Sequence, residues 1–174
     1  MNLEEFVRYR QETTLGFSVV VVPPVGQYDS RRLINLGSNR WAFKPELGLS
    51  KRIGQWYIDV YGGAWFFTDN DDFFGGHVRS QATLGSAQFH LGYEFRAGLW
   101  IALNTNFYAG GRTSVDGVKN FDLQRHSRVG ATASVPINQL QLIKLSYSVG
   151  AYTTIGADFR SLGIGYQVLW GGGL

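Results

Sequence analysis

From Gln88 to Phe107 apolar and polar residues alternate almost without a break. Phe89, Leu91, Tyr93 and Phe95 share one side of an extended chain; after Arg96-Ala97-Gly98 the same side continues through Leu99, Ile101, Leu103 and Phe107, with Thr105 the exception. The other side carries Gln88, His90, Gly92, Glu94, Trp100, Ala102, Asn104 and Asn106. A period of two is the signature of a strand with unlike faces. A three-residue loop containing Gly predicts a hairpin that pairs Phe95 with Leu99, Tyr93 with Ile101 and Leu91 with Leu103. A slip of one residue would set Leu beside Glu on every rung, so the faces are strongly specified.

The same period recurs along the chain. Leu15, Phe17, Val19 and Val21 mark a strand from about Thr14 to Pro24, ended by Pro23-Pro24. Phe43, Pro45, Leu47 and Leu49 face away from Lys44, Glu46, Gly48 and Ser50. The turn Lys51-Arg52-Ile53-Gly54 predicts a partner strand in which Trp56, Ile58, Val60, Ala64 and Phe66 oppose Tyr57, Asp59, Tyr61 and Trp65. That register pairs Leu49 with Trp56 and Leu47 with Ile58, and it sets Glu46 against Asp59, a repulsive pair unless a cation such as Lys44 lies between them. Three further strands follow: Val129, Ala131, Ala133 and Val135; then, after Pro136-Ile137-Asn138-Gln139, Ile143, Leu145, Tyr147, Val149 and Ala151; and last Leu162, Ile164, Tyr166, Val168 and Trp170. About eight segments of roughly 10 residues result, the spacing of barrel strands. Short turns (51–54, 96–98, 137–139) fall at one rim and longer loops (26–40, 69–80, 110–126, 153–158) at the other. Residues 1–13 read as a lead-in segment and residues 14–174 as one all-β domain.

Composition decides which solvent meets each face. Charged residues make up 17% of the chain, against roughly 25% in soluble domains, while aromatics reach 15% and glycines number 23. The net charge of +3 comes without a basic cluster interleaved with aromatics, so nucleic acid is not a partner. With no cysteine there is neither a disulfide nor a thiolate centre. No apolar run approaches the ~18 residues of a membrane helix, so entry into a bilayer requires a closed sheet. The apolar face carries no mid-strand charge, where Lys or Arg would cost about 2–4 kcal/mol on the lipid side. Aromatic residues gather near strand ends at Trp56, Phe66, Phe95, Phe107 and Trp170, as membrane girdles do. These features predict an antiparallel transmembrane β-barrel, its polar face enclosed. A soluble lipocalin-like ligand-binding barrel shares the alternation and is the alternative.

The candidate site is the enclosed polar face. Lys44, Glu46, Asp59, His90, Glu94, Asn104, Arg128 and Lys144 bring both charge signs and amides to several strands, where they can pair across a lumen. Tyr57, Tyr61, Trp65, Trp100 and Tyr108 share that face. They would plug a bore of eight strands, which side chains just fill, and would line a passage for flat aromatic solutes in a larger one. Asp69-Asn70-Asp71-Asp72 lacks the spacing of a calcium loop and reads as a solvated loop. Gly110-Gly111-Arg112-Thr113 offers N–H groups and a guanidinium to an anion such as a lipopolysaccharide phosphate, or is simply a strand end. Among His77, His90 and His126, only His90 falls on the polar face, as a satisfied interior histidine. His126-Ser127 has the residues of a hydrolase pair, but neighbours on a strand point to opposite faces. Gly163-Ile164-Gly165 lies within a strand and is no nucleotide fingerprint. Neither an enzymatic activity nor a metal or cofactor is expected.

Several blocks in order carry a family resemblance. They are Pro24-Val25-Gly26-Gln27-Tyr28-Asp29, Asn35-Leu36-Gly37-Ser38-Asn39-Arg40-Trp41, Lys44-Pro45-Glu46-Leu47-Gly48, Phe67-Thr68-Asp69-Asn70-Asp71-Asp72, Gly110-Gly111-Arg112-Thr113 and Gly156-Ala157-Asp158-Phe159. Together they resemble the MetA-pathway of phenol degradation family, from about Leu3 to the C-terminus. The resemblance implies a Gram-negative outer-membrane barrel that passes aromatic or other hydrophobic compounds, with outer-membrane lipids and lipopolysaccharide around it. Family members carry a signal peptide and further strands at the front, so this chain corresponds to the C-terminal two-thirds of a member and to part of a barrel of about twelve strands. Met1-Asn2-Leu3-Glu4-Glu5 has no secretory signal pattern. The final strand resembles the terminal signal read by the barrel assembly machinery, although Gly171-Gly172-Gly173-Leu174 stands where an aromatic end is usual.

Overall fold

The structure is a computed structural model that describes residues 12–154 and 159–170. All but the last two residues of the expected 1–13 lead-in, most of the Gly156-Ala157-Asp158-Phe159 block and the terminal Gly171-Gly172-Gly173-Leu174 lie outside the described residues. Among the described residues there are twelve strands and no helix: β1 (Thr13–Val22), β2 (Ala42–Ile53), β3 (Trp56–Phe67), β4 (Asn70–Phe73), β5 (His77–Gln81), β6 (Leu84–Arg96), β7 (Leu99–Gly110), β8 (Thr113–Val115), β9 (Val118–Lys119), β10 (Gln124–Pro136), β11 (Gln141–Thr153) and β12 (Ser161–Val168). Eight of them form one antiparallel meander in the order β1-β2-β3-β6-β7-β10-β11-β12.

Two expected loops are not loops. The connections at 69–80 and 110–126 carry a second sheet, β4-β5-β8-β9, in which two hairpins pair through β5 and β8. Asp116 and Gly117, both at positive φ (49° and 79°), make the two-residue turn between β8 and β9, the geometry for which Asp-Gly is preferred.

The registers also differ from expectation in two places. In the β6–β7 hairpin Leu91 faces Leu103 and Tyr93 faces Ile101 as the pattern requires, but Phe95 does not face Leu99. A bulge between Glu94 and Arg96 sets Arg96 opposite Leu99, and Gly98 turns at φ 77°. The β2–β3 turn is Gly54-Gln55 rather than 51–54, so Ile53 faces Trp56 and Leu49 faces Val60. Glu46 therefore stands opposite Gly63 and Asp59 opposite Ser50, and the expected Glu46–Asp59 clash does not exist.

Rung by rung, like faces like across the main sheet. Ile53, Trp56, Tyr93, Ile101, Ala133, Leu145 and Ile164 succeed one another over seven strands. A polar rung three residues along the strands runs Thr14, Ser50, Asp59, His90, Asn104, Gly130, Ser148 and Ser161. Each favourable cross-strand pair contributes about 0.2–1 kcal/mol. Thr105, the off-type residue, donates its hydroxyl to the Phe89 carbonyl at 3.3 Å and so hides its polarity on an apolar rung.

Burial is inverted relative to a water-soluble fold. Ile164 is 75% and Phe17 68% exposed, whereas Ser134 is 0% and Lys44 8% exposed. Among the described residues the only buried apolar side chains are Ala42 and Leu84. The sheet curls with its polar face inward; a lipocalin-like barrel would turn the apolar face in. The curl does not close, because no pairing joins β1 to β12, so the eight strands form an open wall rather than the self-closed barrel that was one expectation.

Close packing at Gly130 tests the register. A Cβ there would lie 2.6 Å from the Tyr147 carbonyl oxygen, while at Gly62 it would meet nothing within 4 Å. Gly130→Ala is expected to destabilise the sheet by about 1–3 kcal/mol and Gly62→Ala to leave it unchanged, measured by urea unfolding in detergent.

Candidate functional site on the polar face

The curl of β2, β3, β6, β7 and β10 encloses a recess of about 530 Å³, lined in part by Tyr57, Asp59, Tyr61, His90, Glu94 and Trp100. Strand alternation places these side chains: odd residues of β3 and even residues of β6 and β7 point the same way. Of the five aromatic residues singled out in the sequence, Tyr57, Tyr61 and Trp100 line this recess. Trp65 lies apart, stacked on Phe67 with centroids 6.3 Å apart, and Tyr108 borders a shallower hollow with Arg125, His126 and Tyr152.

The polar groups are tied in small clusters rather than one network. Lys44 pairs with Glu46, whose Oε2 also accepts from Gln88 Nε2 at 3.2 Å. Arg52 bridges to Glu94 at 2.9 Å, and Tyr57 Oη donates to the same carboxylate oxygen at 2.7 Å. Ser50 donates its hydroxyl to Asp59. Asn104 Nδ2 donates to Thr132 Oγ1 at 2.9 Å, which leaves its Oδ1 to accept from His90 Nδ1 at 2.8 Å. Tyr61 packs edge-on against the His90 ring, centroids 5.7 Å apart. Lys144 lies 5.8 Å over Trp100. Arg128 is farther along the wall, donating to Ser148 Oγ at 3.0 Å and covering Phe159 at 3.9 Å.

Glycines make room for these groups. An edge of the Tyr61 ring lies against Gly48, where a Cβ would come within 2.5 Å of two ring carbons, and a Cβ at Gly63 would meet the Pro45 carbonyl oxygen at 2.7 Å and carbons of Lys44 and Glu46 at 3.2 Å. Arg52 was missed because the sequence reading put it in a turn; the Gly54-Gln55 pair was the signal for a tighter hairpin and a longer β2.

At the longer-loop rim the second sheet is held by side chain to backbone bonds. Asp116 accepts from Val78 N–H at 2.9 Å, and its other oxygen lies 2.6 Å from His77 Nδ1. Thr113 N–H donates to Asp122 at 2.9 Å. Burial pushes Asp122 up, but the Thr113 hydroxyl and N–H outweigh it and hold the carboxyl below its ordinary value. In the Asp69-Asn70-Asp71-Asp72 block, Asn70 is buried within β4 while the three carboxylates face solvent. Among the described residues no three His, Cys, Asp or Glu side chains gather as a metal site. No hydrogen bond joins His126 to Ser127, and His126 Nδ1 is buried without a partner. Gly163-Ile164-Gly165 lies inside β12.

An antiparallel meander with an apolar outer face, a polar inner face and short turns at one rim defines a wall of the outer-membrane barrel type. The chain belongs to the family described as "Putative MetA-pathway of phenol degradation", whose model matches residues 9–168. No curated protein matches it. Among solved structures it is similar to an outer membrane channel from Pseudomonas putida F1, with a TM-score of 0.79 and 24% identity over 88% of this chain. The chain spans 58% of that channel's length.

The rim sheet gives a pH test. The Val78 N–H and His77 beside Asp116 hold its carboxyl below the ordinary value of 3.8. A depressed carboxyl stabilises above its unfolded pKa, and that contribution is lost as pH falls from about 4 through the lowered value. Protection of the Val78 amide, relative to its intrinsic exchange rate at each pH, is expected to fall below about pH 4, and Asp116→Asn should lower it already at neutral pH, with the protection of β6 and β7 amides unaffected in both cases.

Proposed function

We propose that this chain forms much of the wall of a non-enzymatic outer-membrane channel that passes small aromatic or other hydrophobic compounds. The observation that carries the reading is the inverted burial: a continuous apolar outer surface around a polar, aromatic-lined recess. Hydrocarbon is the solvent that such an outer face needs. From Trp56 to Phe66 the apolar side of β3 runs roughly 34 Å along the strand, and at a tilt of about 45° it would cross some 24 Å, close to the ~25 Å apolar band of such barrels. Trp56, Tyr93 and Phe95 cluster edge-to-face at the short-turn rim, centroids 4.9 and 5.0 Å apart, and Trp41 and Phe43 stack at the other. These are the two interfacial girdles, with outer-membrane lipids and lipopolysaccharide as neighbours.

The open edges of β1 and β12 fit a barrel of about twelve strands, completed by strands beyond the eight described, and so does the length of the Pseudomonas putida channel. In that larger bore Tyr57, Tyr61 and Trp100 offer faces to flat solutes, while Asp59, His90 and Glu94, held by Ser50, by Asn104 and by Arg52 with Tyr57, present polar edges to a substituent. The alternation of Leu162, Ile164, Tyr166 and Val168 in β12 is the pattern for the barrel assembly machinery to read. The rim sheet favours a second reading, a barrel whose surface loops bind a partner without transport; an uptake measurement separates the two.

Adjacent residues on β7 test the membrane orientation. Leu103→Lys should cost about 2–4 kcal/mol and abolish the heat-dependent shift in gel migration of an assembled barrel, whereas Asn104→Lys should leave the shift intact; a tolerated Leu103→Lys would refute the orientation. Proteoliposomes carrying the full-length protein are expected to take up phenol faster than empty vesicles, with the rate reduced severalfold by Trp100→Ala together with Tyr61→Ala. Uptake indifferent to that pair would refute the aromatic passage.

A further inference from the structure

Among the described residues, a recess at the longer-loop rim is walled by two arginines and by no carboxylate. The connection from β1 to β2 folds back over the β4–β5 hairpin, with Gly75 N–H donating to the Ser30 carbonyl at 2.9 Å and Tyr28 Oη to the Asp72 carbonyl at 3.0 Å. Asn70, 2% exposed, locks the contact. Its Nδ2 donates to Tyr28 Oη at 2.8 Å and to the Ser38 carbonyl at 3.3 Å, and its Oδ1 accepts from Asn39 Nδ2 at 2.9 Å and Asp72 N–H at 3.1 Å. Between the two layers lies a recess of about 310 Å³ whose walls include Arg40, Arg79, Phe73, Leu33 and Leu36. That is near the lower end of the ~300–1,000 Å³ typical of small-molecule sites.

Among the described residues neither arginine has a carboxylate in ion-pair contact. Arg40 lies 4.5 Å over the Phe67 ring and donates Nη2 to Gln81, but its Nη1 is buried without a partner. Arg112, whose backbone segment Gln81 also grips through the Gly111 carbonyl at 2.9 Å, has its Nε buried and unpartnered as well. Arg79 sits 5.1 Å over Phe73. Burial and then the repulsion of Arg79 pull the Arg40 pKa down, against a weaker opposite pull from Asp69. Of the carboxylates around the recess, Asp29 is bound to Arg31 and Asp116 to Val78 and His77, while Asp69 acts on Arg40, and Asp122, held by Thr113, on Arg79, both from beyond ion-pair distance.

We propose that this recess binds a small aromatic carboxylate, with its oxygens toward Arg40 and Arg79 and its ring against Phe73, Leu33 and Leu36. Planar guanidinium donors match a carboxylate, and the apolar lip gives the ring a surface that inorganic phosphate would leave bare. The site is distinct from the main recess, and its occupancy is read without any uptake, so a failure of the channel reading leaves it standing.

Calorimetric titration of the detergent-solubilised full chain with benzoate is the test. Saturable binding is expected, weakened tenfold or more by Arg79→Gln and by Arg40→Gln and a few-fold by Leu36→Ala, with the heat-dependent gel shift confirming that each variant is assembled. Phenol and inorganic phosphate should each bind at least tenfold more weakly than benzoate. Non-saturable benzoate binding, an affinity unchanged in both arginine variants, or phosphate or phenol binding as tightly as benzoate would overturn the proposal.

Discussion

Successive side chains of a strand point to opposite faces, so the apolar rungs of the main sheet cannot leave the outside without the polar rungs leaving the inside. Polar groups turned into the curl are cut off from bulk water on one side, and each one left unpaired there would cost about 1–3 kcal/mol. The pairings follow from this. Glu94 takes both Arg52 and Tyr57, Glu46 takes Lys44 and Gln88, and Asn104 divides its amide between His90 and Thr132. Ser134 and His126 are groups that the arrangement fails: the Ser134 hydroxyl is fully buried and unpartnered between Trp100 and Lys144 on its rung, and His126 Nδ1, on the residue opposite Tyr108, is buried without a partner too.

The same constraint accounts for the small residues on the inner face. Large side chains there need space beside them, and Gly48 leaves it for Tyr61 as Gly63 does for Lys44 and Glu46. The rim follows another logic, with short strands and backbone-directed Asp, Asn and Thr side chains fastening the two long connections to each other.

How far the sequence could be read follows from what period-two alternation encodes. It separates inside from outside, and the faces of Leu91, Leu103, Tyr93 and Ile101 lie as the pattern required. It is blind to slips that keep parity. Moving the β2–β3 turn from 51–54 to Gly54-Gln55 preserves every face and still changes every partner, so Asp59 meets Ser50 instead of Glu46. Only turn chemistry breaks that tie. The bulge at Glu94 and Arg96 carries no signal in hydrophobicity because it sits where the pattern ends. The second sheet escaped because β4, β8 and β9 are two to four residues long, too short for a period to register, although Asp116-Gly117 announced one of its hairpins. The inner-face residues were legible as a set, while their grouping into separate clusters was not, since it depends on which rung each occupies.

The unpaired edges of β1 and β12 impose a matching rule on whatever completes the wall. Backbone N–H and C=O groups on a free edge must find partners, and the partner inherits its sidedness from the strand it joins: odd-numbered residues of β1 and even-numbered residues of β12 carry the apolar face. Like the two halves of a zip, the free rims dictate phase and leave composition open, so a joining segment is admitted for the parity of its greasy positions and refused for a single step out of phase.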